Sequence, residues 1–132
     1  MSQENVDLVR AMFDAYLRHD DRALLAFADP AVEVEPSWDA VEMSRMQGHD
    51  AFIEFWYHWE SQWDDYFIEA REFHGAGDAV VVVIYERGRG RRSGAVVEDL
   101  FAHVWTVREG RVIRGRVFPT RAEALAAAGI PG

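Results

Sequence analysis

Apolar residues recur along this chain in two rhythms, a helical one that dominates the first half and a strand-like one that dominates the second. Over residues 3–18, Val6, Val9, Met12, Phe13, Tyr16 and Leu17 share one face at 3.6 residues per turn, with Glu4, Arg10 and Arg18 off it. That predicts an amphipathic helix, with Ser2 as its cap. A short second helix follows from Arg22 to Ala28, turning Leu24, Leu25 and Phe27 inward and ended by Asp29-Pro30. Ala31 to Glu35 alternates as a short strand and stops at Pro36. Residues 36–47 have no period and read as a loop whose large apolar residues are Trp38 and two methionines. From Gly48 to Trp63 the helical rhythm returns, with Phe52, Phe55, Trp56, Trp59 and Trp63 on one face and Asp50 as the cap.

Beyond that helix the period falls to two. Strands are predicted over Tyr66–His74, Ala79–Arg87, Ala95–Arg108 and Arg111–Phe118. They are joined by turns at Gly75–Asp78, Gly88–Gly94 and Glu109-Gly110. Thr120 and Glu123 form a capping box that opens a last helix, which stops at Gly129 with Pro131 beyond. Helices first and a meander after them is an α+β order. Each large aromatic ring can bury ~150–250 Å², so the aromatic helix needs a concave partner. A cone-shaped, curved antiparallel sheet wrapped around it would supply one.

Composition narrows what such a fold can do. The 132 residues carry a net charge of −9, which argues against a nucleic-acid partner. All fourteen basic residues are arginine, and cysteine is absent. Schiff-base and thiolate chemistry are therefore excluded, and nothing depends on disulfides. No stretch of ~18 apolar residues offers a membrane span, and the first residues lack a signal-peptide pattern. A cytoplasmic location is the expectation. The five histidines show no zinc spacing, so neither a metal nor another cofactor is expected. The arginines of GRGRRSG read as a solvated turn.

Several stretches carry a family resemblance across nearly the whole chain. They are ENVDLVRAMFDAYLRHDDRALLAFADPAVEVEP, the aromatic helix after GHDAF, FAHVWTVREGRVIRGRVF, and TRAEALAAAG. With them the chain resembles the nuclear transport factor two-like superfamily, in its SnoaL-like branch of polyketide cyclases related to ketosteroid isomerase. The resemblance implies one SnoaL-like domain over residues 1–132, a cystatin-like α+β roll, and a homodimer. It also implies site positions. Glu35, just before Pro36, falls at the general base of ketosteroid isomerases. Their oxyanion tyrosine falls near Met12, which cannot donate, with Tyr16 one turn on. Their second oxyanion acid and the cyclase acid–base residue both fall at His103.

The residues themselves support part of that assignment. His103 lies among Phe101, Trp105 and Val107 on one strand parity, and its ordinary pKa near 6.5 suits proton transfer. Glu35 is the expected partner for it. Burial would raise Glu35 and lower His103, and a close ion pair would oppose both shifts. Tyr16, Trp38, Trp56, Tyr85, Asp99 and Phe101 are the candidate lining for a small hydrophobic or aromatic molecule. Aromatic stripes at such spacing are also what a plain core requires. Three readings follow: a cofactor-free acid–base enzyme of isomerase, cyclase, dehydratase or hydrolase type, a binding protein without catalysis, and a dimeric association module. The runs AVVVVIYE and VVEDLFAHVWTV are apolar on both parities. If the helices cover only the concave face, the outer face of the sheet would pair two copies.

Overall fold

The computed structural model describes residues 2–35 and 46–132. Trp38 lies outside them. Among the described residues four helices, α1 (Ser2–Leu17), α2 (Asp21–Ala26), α3 (His49–Tyr57) and α4 (Arg121–Ala127), accompany six strands. The strands are β1 (Ala28–Glu35), β2 (Met46–Gln47), β3 (Trp63–Ala76), β4 (Ala79–Gly90), β5 (Val96–Arg108) and β6 (Arg111–Phe118). They form one curved, unclosed sheet in the order β2-β1-β6-β5-β4-β3. The meander β3–β6 is antiparallel throughout, whereas β1 runs parallel to β6. A strand reached by a long crossover is free to do so. Among the described residues no helix is long and apolar enough to cross a membrane.

Three boundaries differ from the sequence reading. Helix α3 stops at Tyr57, and after a single 3-10 turn Trp63 is already extended at φ −126°, ψ 145°. Trp63 packs its ring over Gly88, 3.2 Å from where a Cβ would sit there. Its helical spacing from Phe52 is thus accidental, and Trp59 is 43% exposed. Asp50 lies in the first turn of α3, but Gly48 occupies the cap position without a side-chain bond. Asp29-Pro30 does not merely end α2: both residues belong to β1, where the register shifts between Ala28 and Glu33. A bulge near a sheet edge is where a strand tolerates proline. The last helix is capped as expected, Thr120 Oγ1 accepting from the Glu123 N–H at 3.1 Å.

Register decides which side chains share a face. Val34, Gly115 and Trp105 lie side by side across β1, β6 and β5. Ile84 lies opposite Phe101, and Val82 opposite His103. With α1 and α3 these residues make the main core, in which Trp105, Phe13, Phe52 and Met12 are fully buried. Gly115 is required there, because a Cβ on it would lie 2.2 Å from the Trp105 ring. The other parity forms a second core, in which Val81, Val83, Ala102 and Val104 pack under Ala124 and Leu125 of α4. The helices therefore do not keep to the concave side. Helix α4 covers the middle of the convex face, and Val104 is buried within the chain.

Candidate functional site

The concave face carries His103 and most of the candidate lining. His103 on β5 is 5% exposed and ringed by Phe55, Trp56, Phe101 and Trp105, with centroids 5.3–5.7 Å away. Trp105 Nε1 donates to His103 Nδ1 at 3.3 Å. An indole can only donate, so Nδ1 is the bare nitrogen and the ring proton sits on Nε2. Burial lowers the His103 pKa to about 3, so the ring is neutral at physiological pH. That shift has the direction expected from the sequence.

Glu35 does not reach it. Val34 points into the main core, and Glu35, one residue on, takes the opposite face beside Arg116. There its carboxylate accepts from Arg114 Nη2 at 2.9 Å and Arg116 Nε at 3.0 Å. Partial burial alone would raise its pKa, but the hydrogen bonds and charges of the two arginines outweigh it and hold the carboxyl below the usual range. The expected direction was the reverse. The sheet lies between Glu35 and His103, so the anticipated pair is not formed. The alternating Arg114 and Arg116 of RVIRGRVF are its visible sequence signal.

A second cluster takes shape nearer the β4–β5 hairpin. Glu86 follows Val80, Val82 and Ile84 on the inward parity of β4 and is 5% exposed. Its Oε1 accepts from Trp59 Nε1 and from the Tyr66 hydroxyl, each at 2.8 Å. Burial raises its pKa; the two hydrogen bonds oppose this in part, and the Asp99 charge adds to it. Tyr16, buried on α1, packs against Trp56 with ring centroids 4.5 Å apart and planes tilted by 31°, and donates to Glu60 Oε2 at 2.9 Å. Burial, reinforced by the Glu60 charge, pushes its phenol far up. Glu86, Glu60 and Tyr66 were not singled out as site residues from the sequence, and Trp59 was read only as part of the apolar face of the aromatic helix. A carboxylate on the inward parity of an otherwise valine-rich strand was the available signal for Glu86.

The remaining candidates divide between the faces. Phe101 is buried on the concave side, and Asp99 is exposed opposite Glu86. Tyr85 belongs to the convex side, where its hydroxyl donates to Glu98 and Arg71 stacks over its ring at 4.1 Å. It cannot line a site with His103. A separate surface groove of about 440 Å³ lies between α1 and β3, lined by Arg10, Phe13, Asp14, Leu17, Phe67 and Phe73 among others. None of the residues anticipated from the sequence faces it. Among the described residues no three His, Asp or Glu side chains gather in a way that could hold a metal ion.

The SnoaL-like domain model matches residues 9–115, and the chain belongs to that family. Solved structures agree in fold. An NTF2-like protein from Burkholderia thailandensis is 27% identical, with TM-score 0.77 and 99% of each chain covered. One from Burkholderia xenovorans is 28% identical, with TM-score 0.72 and 97% of each covered. A protein of ketosteroid isomerase-like fold from Catenulispora acidiphila, in complex with trimethylamine, is 15% identical, with TM-score 0.68 and 94% and 93% covered. No curated protein matches the chain.

Proposed function

We propose that this protein binds a small hydrophobic or aromatic molecule on the concave side of its sheet, with Glu86 as the ionisable group of the site. The observation that carries this is Glu86 itself. It is a carboxyl 5% exposed, held by one indole and one phenol, with no arginine paired to it among the described residues. A buried acid without a cation is costly and is more than packing needs. An apolar wall with a few inward polar groups is the usual form of a ligand site. Titration of ¹⁵N-labelled protein with 2-naphthol tests it. Shifts at Tyr16, Trp56, Phe101 and His103 are expected, with Tyr85 and Leu100 unmoved. Shifts confined to the convex face, or none at millimolar ligand, would overturn the reading.

A second reading, cofactor-free proton transfer, is favoured by the raised pKa of Glu86, because an acid displaced toward neutrality suits exchange of a substrate proton. It replaces the Glu35–His103 pair. Deuterium uptake from solvent into an enolisable ketone, lost in Glu86→Gln, would support it. The convex face outside α4 leaves Leu100 52% and Phe67 40% exposed. We propose that this remaining patch joins two copies of the chain. Sedimentation equilibrium should give a dimer that Leu100→Glu dissociates, and a monomeric wild type would exclude it.

A further inference from the structure

Two buried polar rings of the concave face, Trp56 and His103, offer donors and no acceptor. Trp56, 4% exposed, has its indole N–H buried without a hydrogen-bond partner. Nearly every buried N–H in a folded protein is paired, so an orphan calls for an acceptor from elsewhere. Its ring lies 5.7 Å from that of His103, edge to face, and stacks on Trp105 at 5.6 Å with 7° between planes. Trp105 in turn occupies Nδ1 of His103. This fixes the imidazole proton on Nε2 and removes the acceptor that a free imidazole would present. Among the described residues His103 makes only that one hydrogen bond. Nearer the β4–β5 hairpin, Glu86 and Asp99 share the concave parity, so the local field opposes an anion.

We propose that Trp56 and His103 select the bound molecule as an uncharged hydrogen-bond acceptor, a ring nitrogen or carbonyl oxygen, with Trp105 as the positioning residue that sets the His103 tautomer. This rests on the ligand-binding reading above and adds to it the class of ligand and the groups that choose it. Donor-only ligands leave both N–H groups unpaired, and carboxylates meet the field of Glu86 and Asp99. A lost buried hydrogen bond is ordinarily worth about a tenfold change in affinity.

Isoquinoline, naphthalene and 2-naphthoate form a test set of nearly equal size, used at pH 7.5 where isoquinoline is uncharged. Isoquinoline should bind ~10-fold tighter than naphthalene, and 2-naphthoate weakest. In Trp56→Phe the ratio of isoquinoline to naphthalene affinity should fall to about 2-fold or less, whatever happens to naphthalene binding itself. Wild-type protein gives a readout independent of any variant. In ¹⁵N-tryptophan-labelled protein the Trp56 indole proton should move downfield with isoquinoline and not with naphthalene. The His103 nitrogens should keep the pattern of a neutral ring protonated at Nε2. Equal binding of isoquinoline and naphthalene with no indole shift would overturn this inference while leaving ligand binding intact. Tighter binding of 2-naphthoate would overturn it likewise. Failure of all three to bind would overturn the ligand-binding reading, and this inference with it.

Discussion

Glu35 and Glu86 are the same chemistry on two faces of one sheet. Glu35 lies on the convex side, between Arg114 and Arg116, and its carboxyl titrates below the ordinary range. Glu86 lies on the concave side, between Trp59 and Tyr66, and titrates above it. One residue of strand parity separates an ion pair from a buried acid. The convex face pairs its carboxylates within the chain, Glu72 accepting from Arg121 and Glu98 from Tyr85, and leaves Arg114 Nε without a partner among the described residues. The concave face leaves Trp56 Nε1 unpaired and His103 neutral. A buried acid with no arginine paired to it among the described residues, beside an orphan indole N–H in an apolar wall, marks the side on which a ligand would be held.

The concave wall also carries much of the stability, so the strongest way to break the comparison is to remove its centre. Trp105 is fully buried, stacked on Trp56 and packed over Gly115. Trp105→Ala should cost ~3–5 kcal/mol in urea unfolding, because no neighbour is free to fill the space. In protein diluted until it is monomeric, Leu100→Ala on the exposed convex patch should stay within ~0.5 kcal/mol. Equal losses would mean that the two faces do not differ in packing.

A smaller effect isolates His103. Its folded pKa, about 3, lies below the unfolded value of 6.5. As pH falls from 6.5 toward 3, the unfolded chain takes up a proton that the folded chain refuses, so stability is full above that window and declines through it. One such proton gives a slope of up to ~1.4 kcal/mol per pH unit. Urea midpoints measured from pH 7 to 4 should show that extra slope in the wild type and lose it in His103→Phe. Parallel profiles would show that the ring is hydrated and titrates normally.

Much of this arrangement was legible in the sequence. The helix faces, the four meander strands and the capping box at Thr120 follow from local spacing and turn chemistry, which tertiary contacts did not override. Placing His103 on the aromatic parity of β5 required only alternation from Phe101 and Trp105. The two failures have a common cause. Trp59 and Trp63 keep helical spacing after the helix has ended, and Glu35 keeps a family position while its side chain turns outward. Periodicity reports that residues are apolar at intervals, not where the backbone changes state. Position in a motif does not report which face a strand presents once a bulge has shifted its register. The α4 cover on the convex face was also invisible, because short amphipathic helices carry no signal of the surface they choose.

The subtlest test sets the two carboxyls directly against each other. Glu35 is depressed in the fold, so its contribution is present above the unfolded pKa of 4.5 and is lost as pH falls through the folded value. Its side chain is 26% exposed, which limits Glu35→Gln to a loss of ~0.5–1 kcal/mol at pH 7, shrinking to nothing in acid. Glu86 is raised, so its contribution is present below 4.5 and is lost as pH rises through its folded value. Glu86→Gln keeps an acceptor for Trp59 and Tyr66 but has no charge to bury. That variant should match the wild type in acid and exceed it in stability at pH 8. The two difference curves, each variant minus wild type, should therefore both start near zero in acid and separate with opposite signs as pH rises. Chemical denaturation at pH 4, 6 and 8 resolves them. Curves of the same sign would mean that Glu86 has found a counter-charge, and the distinction between the faces would then rest on packing alone.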